Sequence, residues 1–307
     1  MPYSEPFKSA DDAYLQTVSR VLSTGDDRGD RTGTGTRSVF GHNVEIDVSD
    51  NSLAVVSLKK TNYRDAIAEM IWMLSGSNSL VPLIEQGIHI WTDWPLKAFK
   101  NESGEDITRT EFENRILGDQ SFAEKWGTIF PCYGTEMRAF QSLHAKPLDQ
   151  MQMLVDEIKA NPESRRLVWS LWRPEYINIR TGNGLPPCHF SGGVSIRNGK
   201  INLKARIRSN DVGLGTPYNY AQYSYLLSLL CVITGYSQGN LIIDVDDCHI
   251  YSNHIDGISA ILEREVRPNP KIVWSRKPAS LDDNLSLNDF EVIGYDPQPF
   301  IPLPVAV

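Results

Sequence analysis

The sequence has few cysteines, no excess of basic residues and no long apolar run. Its four cysteines, Cys132, Cys188, Cys231 and Cys248, show no metal-type spacing, so no bound metal is expected. They read as four free thiols in a reducing cytosol, which makes the expected location cytoplasmic. Thirty Lys and Arg against 38 Asp and Glu leave a net charge of −8, which argues against a nucleic-acid binder, since that role needs a basic face. No stretch is long and apolar enough for a bilayer crossing, so no membrane association is expected. The opening residues Met1 to Pro6 have neither a basic start nor an apolar run and do not read as a signal peptide. No repeat, linker or low-complexity segment divides the 307 residues, so 1–307 is expected to fold as one domain.

The remaining composition, 41% hydrophobic and 22% charged, is that of a globular protein. Residues 11–24 carry Ala13, Leu15, Val18, Val21 and Leu22 at helical spacing. Thr24 to Thr36 is rich in glycine and charge and reads as a loop; Arg31 within it is a surface residue or an anion contact. Residues 38–57 suggest two strands. Asp65 to Leu74 predicts a buried helix, with Glu69 inside its apolar run. Burial raises a carboxyl pKa and suits proton transfer near neutrality; a structural acid paired with a base is the alternative. Helical tracts are expected near 78–87 and 147–160, with a polar surface excursion over 98–125. Ile90-Trp91 and Trp94 place two rings three apart, as core or as a stacking floor for a flat ligand. Arg165-Arg166 directly precede the apolar strand Leu167–Trp172. They are surface charge, or they reach an anion, on another subunit if not on this one. Tyr220 to Thr234 predicts an apolar helix and 241–246 a strand. His249 and Tyr251 beyond it share a face of extended chain.

The centre of the chain carries the chemistry. Pro187-Cys188-His189 is followed by Arg208-Ser209-Asn210-Asp211 and then Asn219. A thiol is a poor nucleophile until a neighbouring cation favours its thiolate. Residues 194–207 alternate apolar and polar about Asn198-Gly199, which suits a type I′ hairpin turn. That turn pairs Arg197 with Lys200, Ile196 with Ile201 and Val194 with Leu203. Perfect register then sets Cys188 opposite Ser209 and turns Arg208 away. A bulge, expected at Gly192-Gly193, restores the meeting of Cys188 and Arg208. His189, adjacent on the strand, points to the other face and is not expected to form a dyad with Cys188.

Together these residues resemble the folate-dependent thymidylate synthases and the related pyrimidine-nucleotide hydroxymethylases. The resemblance runs from Arg31-Thr32-Gly33-Thr34-Gly35-Thr36 through Glu69, Ile90-Trp91, Tyr133-Gly134, Ser164-Arg165-Arg166, Pro187-Cys188-His189, Arg208-Ser209-Asn210-Asp211, Asn219 and His249-Ile250-Tyr251 to the terminal valine. It implies an α/β fold with a large, kinked mixed sheet that packs on its copy in a homodimer. It implies dUMP as substrate and 5,10-methylenetetrahydrofolate as co-substrate. Cys188 would attack C6 of uracil and the folate methylene would bond to C5. Arg31, Arg208 and Ser209 would hold the 5′-phosphate, with Arg165 and Arg166 supplied by the partner. His249 and Tyr251 would bind the 3′-hydroxyl, with His189 beside the nucleotide, and Asn219 would read the pyrimidine edge. Glu69 would organise proton-moving waters and Tyr133 would help remove the C5 proton. Trp91, Trp94, Ile90, Asp211, Leu214, Gly215 and Tyr218 would line the folate site, with Lys59 near its glutamate tail and Val307 closing over it.

Departures from the family pattern are Ile207, Met137, Gly192-Gly193 and Arg173-Pro174 with a longer loop to Cys188. Asn219 and the synthase-like tail Pro304-Val305-Ala306-Val307 make methylation of dUMP the implied activity, while the departures leave dUMP hydroxymethylation as the alternative and a nucleotide-binding protein without chemistry as a second one.

Overall fold

The computed structural model describes residues 5–30, 32–143, 146–179 and 186–305. Helix α1 (Ala10–Thr24) starts where expected, its first turn capped by the Ser9 hydroxyl accepting the Asp12 N–H. Strands β1 (Asp26–Arg28) and β2 (Thr36–Asp47) follow. The second strand expected within 38–57 does not form. Leu53 to Val56 are all buried, so this segment lacks the alternation of a half-open sheet. Side chains satisfy its backbone instead: Ala54 N–H donates to Ser224 Oγ (2.9 Å) and Ser57 N–H to Asp11 Oδ1 (2.7 Å).

Helices α2 (Tyr63–Leu74), α3 (Val81–Ile84), α4 (Asp93–Ser103), α5 (Arg109–Gly118), α6 (Gln120–Trp126), α7 (Tyr133–Arg138) and α8 (Gln150–Ala160) come next. The excursion over 98–125 is thus largely helical. It has its own aromatic cluster, in which Phe99 lies 5.6, 5.4 and 5.3 Å from Phe112, Phe122 and Trp126. The order then runs β3 (Val168–Ser170), a 3₁₀ turn at Pro174–Asn178, β4 (His189–Arg197), β5 (Lys200–Asp211), α9 (Gly215–Thr234), β6 (Ser237–Tyr251), α10 (Ile255–Ser259), β7 (Lys271–Trp274) and β8 (Phe290–Ile293).

Among the described residues six strands form one mixed sheet, ordered β1-β2-β6-β5-β4-β3. Only the β5–β6 pair is parallel, and α9 is the crossover that this direction requires. Leu203, Ala205 and Ile207 of β5 and Leu241, Ile243 and Val245 of β6 alternate into the buried face. β7 and β8 pair separately. No helix among the described residues is long and apolar enough to cross a membrane.

The β4–β5 hairpin follows the sequence closely. Asn198 (φ 51°) and Gly199 (φ 72°) both take the left-handed conformation of a type I′ turn. The three expected residue pairs form. The bulge exists, but between His189 and Ser191 rather than at the two glycines. Gly192 serves a different need: a Cβ there would lie 2.0 Å from the Trp169 ring. Its missing side chain makes room for the indole, so the extra residue is taken up nearer the strand start.

Candidate active site

The bulge sets the site. It moves the pairing by one residue, so the Arg208 N–H donates to the Cys188 carbonyl (2.8 Å) and the two residues stand opposite each other. The Arg208 guanidinium is held from behind: Nε donates to Pro187 O and Nη2 to Pro186 O, both at 2.9 Å. Nη2 lies 3.8 Å from Cys188 Sγ. A positive charge is thereby fixed beside the sulfur, the setting in which a thiolate is a competent nucleophile. The other three thiols are buried in apolar surroundings, which pushes Cys132 up to about 11 and Cys231 and Cys248 up to about 12. Cys188 is half-buried, at the wall of a cavity of about 620 Å³.

Arg208 and Ser209 share this cavity with Asp30, Thr32, Trp172, Tyr176, His249 and Tyr251. On β6, Asp247, His249 and Tyr251 project to one side because they are two apart. His249 Nδ1 lies 2.9 Å from Asp247 Oδ1, and its ring centroid is 5.2 Å from Tyr251. That hydrogen bond holds the Asp247 carboxyl below its usual range despite partial burial.

A second group of side chains lies on the inner side of Cys188. Tyr133, at the start of α7, accepts the Cys188 N–H at its hydroxyl oxygen (2.8 Å). Burial raises its pKa well above the phenol range, so it stays protonated. Glu69 of α2 is 7% exposed and accepts from Trp91 Nε1 (2.7 Å) and Gln222 Nε2 (2.6 Å). Desolvation lifts its pKa to about 7, outweighing both hydrogen bonds. A carboxyl at that value exchanges protons readily at neutral pH. Tyr133 links two ring contacts: Trp91 at 6.0 Å, itself 5.5 Å from Trp94, and His189 at 5.2 Å. His189 is buried and pushed down to about 4 by desolvation, hence neutral; its Nε2 lies 3.0 Å from Asn219 Oδ1. It bonds Asn219 and Tyr223 rather than the thiol.

The start of α9 completes this side. Leu214, Gly215 and Tyr218 are half-buried there. Asp211 Oδ1 accepts the Gly213 N–H (2.7 Å) and lies 3.7 Å from His254 Nδ1. Lys59 is 4% exposed, and burial lowers its pKa to about 8 against the pull of Asp211. Ile90 is half-buried against the core.

The arrangement is a thiol with a fixed cation, a hydroxyl-lined cavity on one side and a buried acid with aromatic rings on the other. Comparison with known proteins gives its lineage. The family model described as thymidylate synthase matches residues 12–307. A thymidylate synthase of Zymomonas mobilis is 40% identical over 295 residues, covering 96% of this chain and 98% of that protein. One of Rhizorhabdus wittichii is 37% identical over 304 residues, covering 96% and 97%. The chain belongs to the thymidylate synthase family.

Most of the sequence-predicted residues converge in this family member, but Arg165 and Arg166 do not. Both are exposed ahead of β3, and Arg165 borders a separate cavity of about 370 Å³ on the open face of the sheet. Arg31 and Val307 lie outside the described residues. Among the described residues no group of three or more His, Cys, Asp or Glu is arranged to hold a metal ion.

Several participants escaped the sequence reading. Gln222 and Tyr223 follow Asn219 by three and four residues, the helical spacing that would have exposed them. His254 Nε2 lies 2.7 Å from the Pro304 carbonyl and ties down the tail. The Arg173-Pro174 departure has a structural role: Arg173 Nε contacts the buried Glu136 (2.9 Å) and the Tyr176 hydroxyl donates to the same carboxylate. This anchors the 3₁₀ turn as a wall of the Cys188 cavity. Nothing local in sequence joins 136 to 173.

Proposed function

We propose that this protein transfers a one-carbon unit to C5 of dUMP from 5,10-methylenetetrahydrofolate, giving dTMP and dihydrofolate. The supporting observation is the Arg208 guanidinium 3.8 Å from Cys188 Sγ at the wall of the hydroxyl-lined cavity. The Cys188 thiolate adds to C6 of the uracil ring, and the electron pair becomes available at C5 for the new carbon–carbon bond. Arg208 and Ser209 take the 5′-phosphate, and His249 and Tyr251 take the 3′-hydroxyl. Asn219, beside His189, faces the pyrimidine edge.

Tyr133 and Glu69 handle protons. Tyr133 is held as a protonated phenol against the Cys188 backbone. Glu69 is poised at about 7 beside Trp91. The folate supplies the methylene and then a hydride. The residues available for it fit a flat, anionic ligand: the Trp91–Trp94 pair, Ile90, Leu214, Gly215, Tyr218 and Asp211, with Lys59 as the buried cation. We further propose a homodimer through the open sheet face, where Phe40 and Val168 are 81% and 60% exposed. Arg165 and Arg166 then serve the partner's phosphate site. On this reading residues 1–307 act as one catalytic domain in the cytoplasm.

The test is incubation with dUMP and methylenetetrahydrofolate, followed by nucleotide mass and dihydrofolate absorbance. Gain of a methyl group with dihydrofolate is expected. Hydroxymethyl-dUMP without dihydrofolate would replace this reading with water capture at the same carbon. No release of hydrogen from C5 would leave only nucleotide binding.

A further inference from the structure

The helical excursion over 98–125 reaches back to the rings assigned to the folate. Residues 89–92 form a turn closed by the Thr92 N–H, which donates to the His89 carbonyl (3.2 Å). Its two central residues are Ile90 and Trp91. Both corners are tied to one oxygen of Glu113 on α5: Thr92 Oγ1 donates to Oε1 at 2.7 Å, and His89 Nδ1 lies 2.8 Å from the same atom. Glu113 and Thr92 are 7% and 1% exposed. A carboxylate oxygen accepts and cannot donate, so Glu113 itself sets the direction of both bonds.

The surroundings hold this clamp in place. Thr92 directly precedes α4, where a threonine hydroxyl ordinarily accepts a helix N–H. It makes no such bond, and its hydroxyl is given to Glu113 instead. Glu113 is fixed by its neighbour Phe112, which is fully buried and lies 5.6 Å from Phe99 of α4 and 5.5 Å from Phe122 of α6. On the far side of the turn, Trp91 Nε1 donates to Glu69 (2.7 Å) and its ring lies 5.5 Å from Trp94. One buried acid holds the turn at its corners and another holds it at its centre, so the indole is in position before any ligand arrives.

We propose that Glu113 is a positioning residue for the folate: it clamps the 89–92 turn so that Trp91 meets both Glu69 and the flat ring of the co-substrate. The inference rests on the folate reading above. It is tested on the intact protein in two ways. Without ligand, solvent exchange of the Trp91 indole N–H is followed by NMR, the signal being identified by its loss in Trp91→Phe. The dissociation constant of dUMP is then measured, followed by that of tetrahydrofolate at saturating dUMP. Glu113→Ala speeds the indole exchange and weakens tetrahydrofolate binding, each by about tenfold or more, the scale of lost bonds to a buried carboxylate. Its affinity for dUMP stays within about twofold, since the clamp touches no group assigned to the nucleotide. Glu113→Gln keeps an acceptor oxygen at the same reach and stays within about twofold of wild type in both readouts. Thr92→Val removes one of the two bonds, moves both readouts by about fivefold, and carries the test if Glu113→Ala fails to fold.

Indole exchange or tetrahydrofolate affinity unchanged in Glu113→Ala or Thr92→Val would overturn the proposal. So would equal weakening of dUMP and tetrahydrofolate, the mark of a merely structural residue, or Glu113→Gln behaving like Glu113→Ala. Wild-type protein that binds no tetrahydrofolate removes the functional reading and this inference with it, whereas a wild type that binds it, with the variants unchanged, removes only the clamp.

Discussion

Replacing Glu69 by glutamine separates the cost of burying a charge from the use made of it. The carboxyl is 7% exposed and its pKa rises from 4.5 to about 7. Below pH 4.5 it is protonated in both folded and unfolded chains. Between 4.5 and about 7 the folded chain holds a proton that the unfolded chain has released. The folded state is therefore favoured at low pH, and this advantage is lost as pH rises towards 7. Over pH 5 to 8 the loss integrates to about 2 to 3 kcal/mol. Glu69→Gln cannot titrate, so the stability of wild type minus that of variant falls by this amount across the same interval. Urea unfolding at four pH values, at one protein concentration, reads the difference directly. Parallel pH curves for the two proteins would refute the buried, proton-holding carboxyl. Turnover reports the other half: loss of the proton-handling group lowers kcat by about 10²- to 10⁴-fold, while dUMP binding changes little.

Three further outcomes follow from the site. Arg208→Ala slows alkylation of Cys188 by iodoacetamide and weakens dUMP binding, each by about tenfold or more; equal alkylation rates in the two proteins would contradict the role given to the guanidinium. Glu136→Gln breaks the buried contact to Arg173 and loosens the 3₁₀ turn at Pro174–Asn178, costing about 3 to 5 kcal/mol, seen as a lowered Tm. A Tm equal to wild type would show that the ion pair does not anchor that wall. Mixing Cys188→Ala with Arg165→Ala subunits restores part of the activity if each site borrows arginines from its partner; no recovery in demonstrated heterodimers counts against sharing.

The hairpin was the most legible element. Asn198-Gly199 fixes a two-residue turn, and alternation on both arms fixes register because slipping by one would turn Ile201, Leu203 and Ala205 out of the core. The bulge was legible in its existence and not in its place. A bulge follows from the need to face Arg208 towards Cys188, but the Gly192 position was already claimed by the Trp169 ring. Leu53 to Val56 misled because an apolar run has the same composition in a buried strand as in a buried coil. What separated them was whether a neighbouring strand or side chains such as Ser224 and Asp11 supplied the hydrogen bonds.

Glu69 was recognisable as a carboxyl in apolar surroundings, because it stands alone among Ala66, Ile67, Ala68, Met70, Ile71, Trp72, Met73 and Leu74. Its partners were not, since Trp91 and Gln222 come from 22 and 153 residues away. The sequence by itself determined which groups exist and which short-range geometry they obey: the turn, the alternation, the helical spacing and the thiol two strands' length from its arginine. Tertiary structure alone decided the distances at which chemistry operates and which partners meet, as where Arg173 reaches Glu136. Those depend on burial and on contacts between residues far apart in the chain, and burial is a property of the packed molecule rather than of any residue in it.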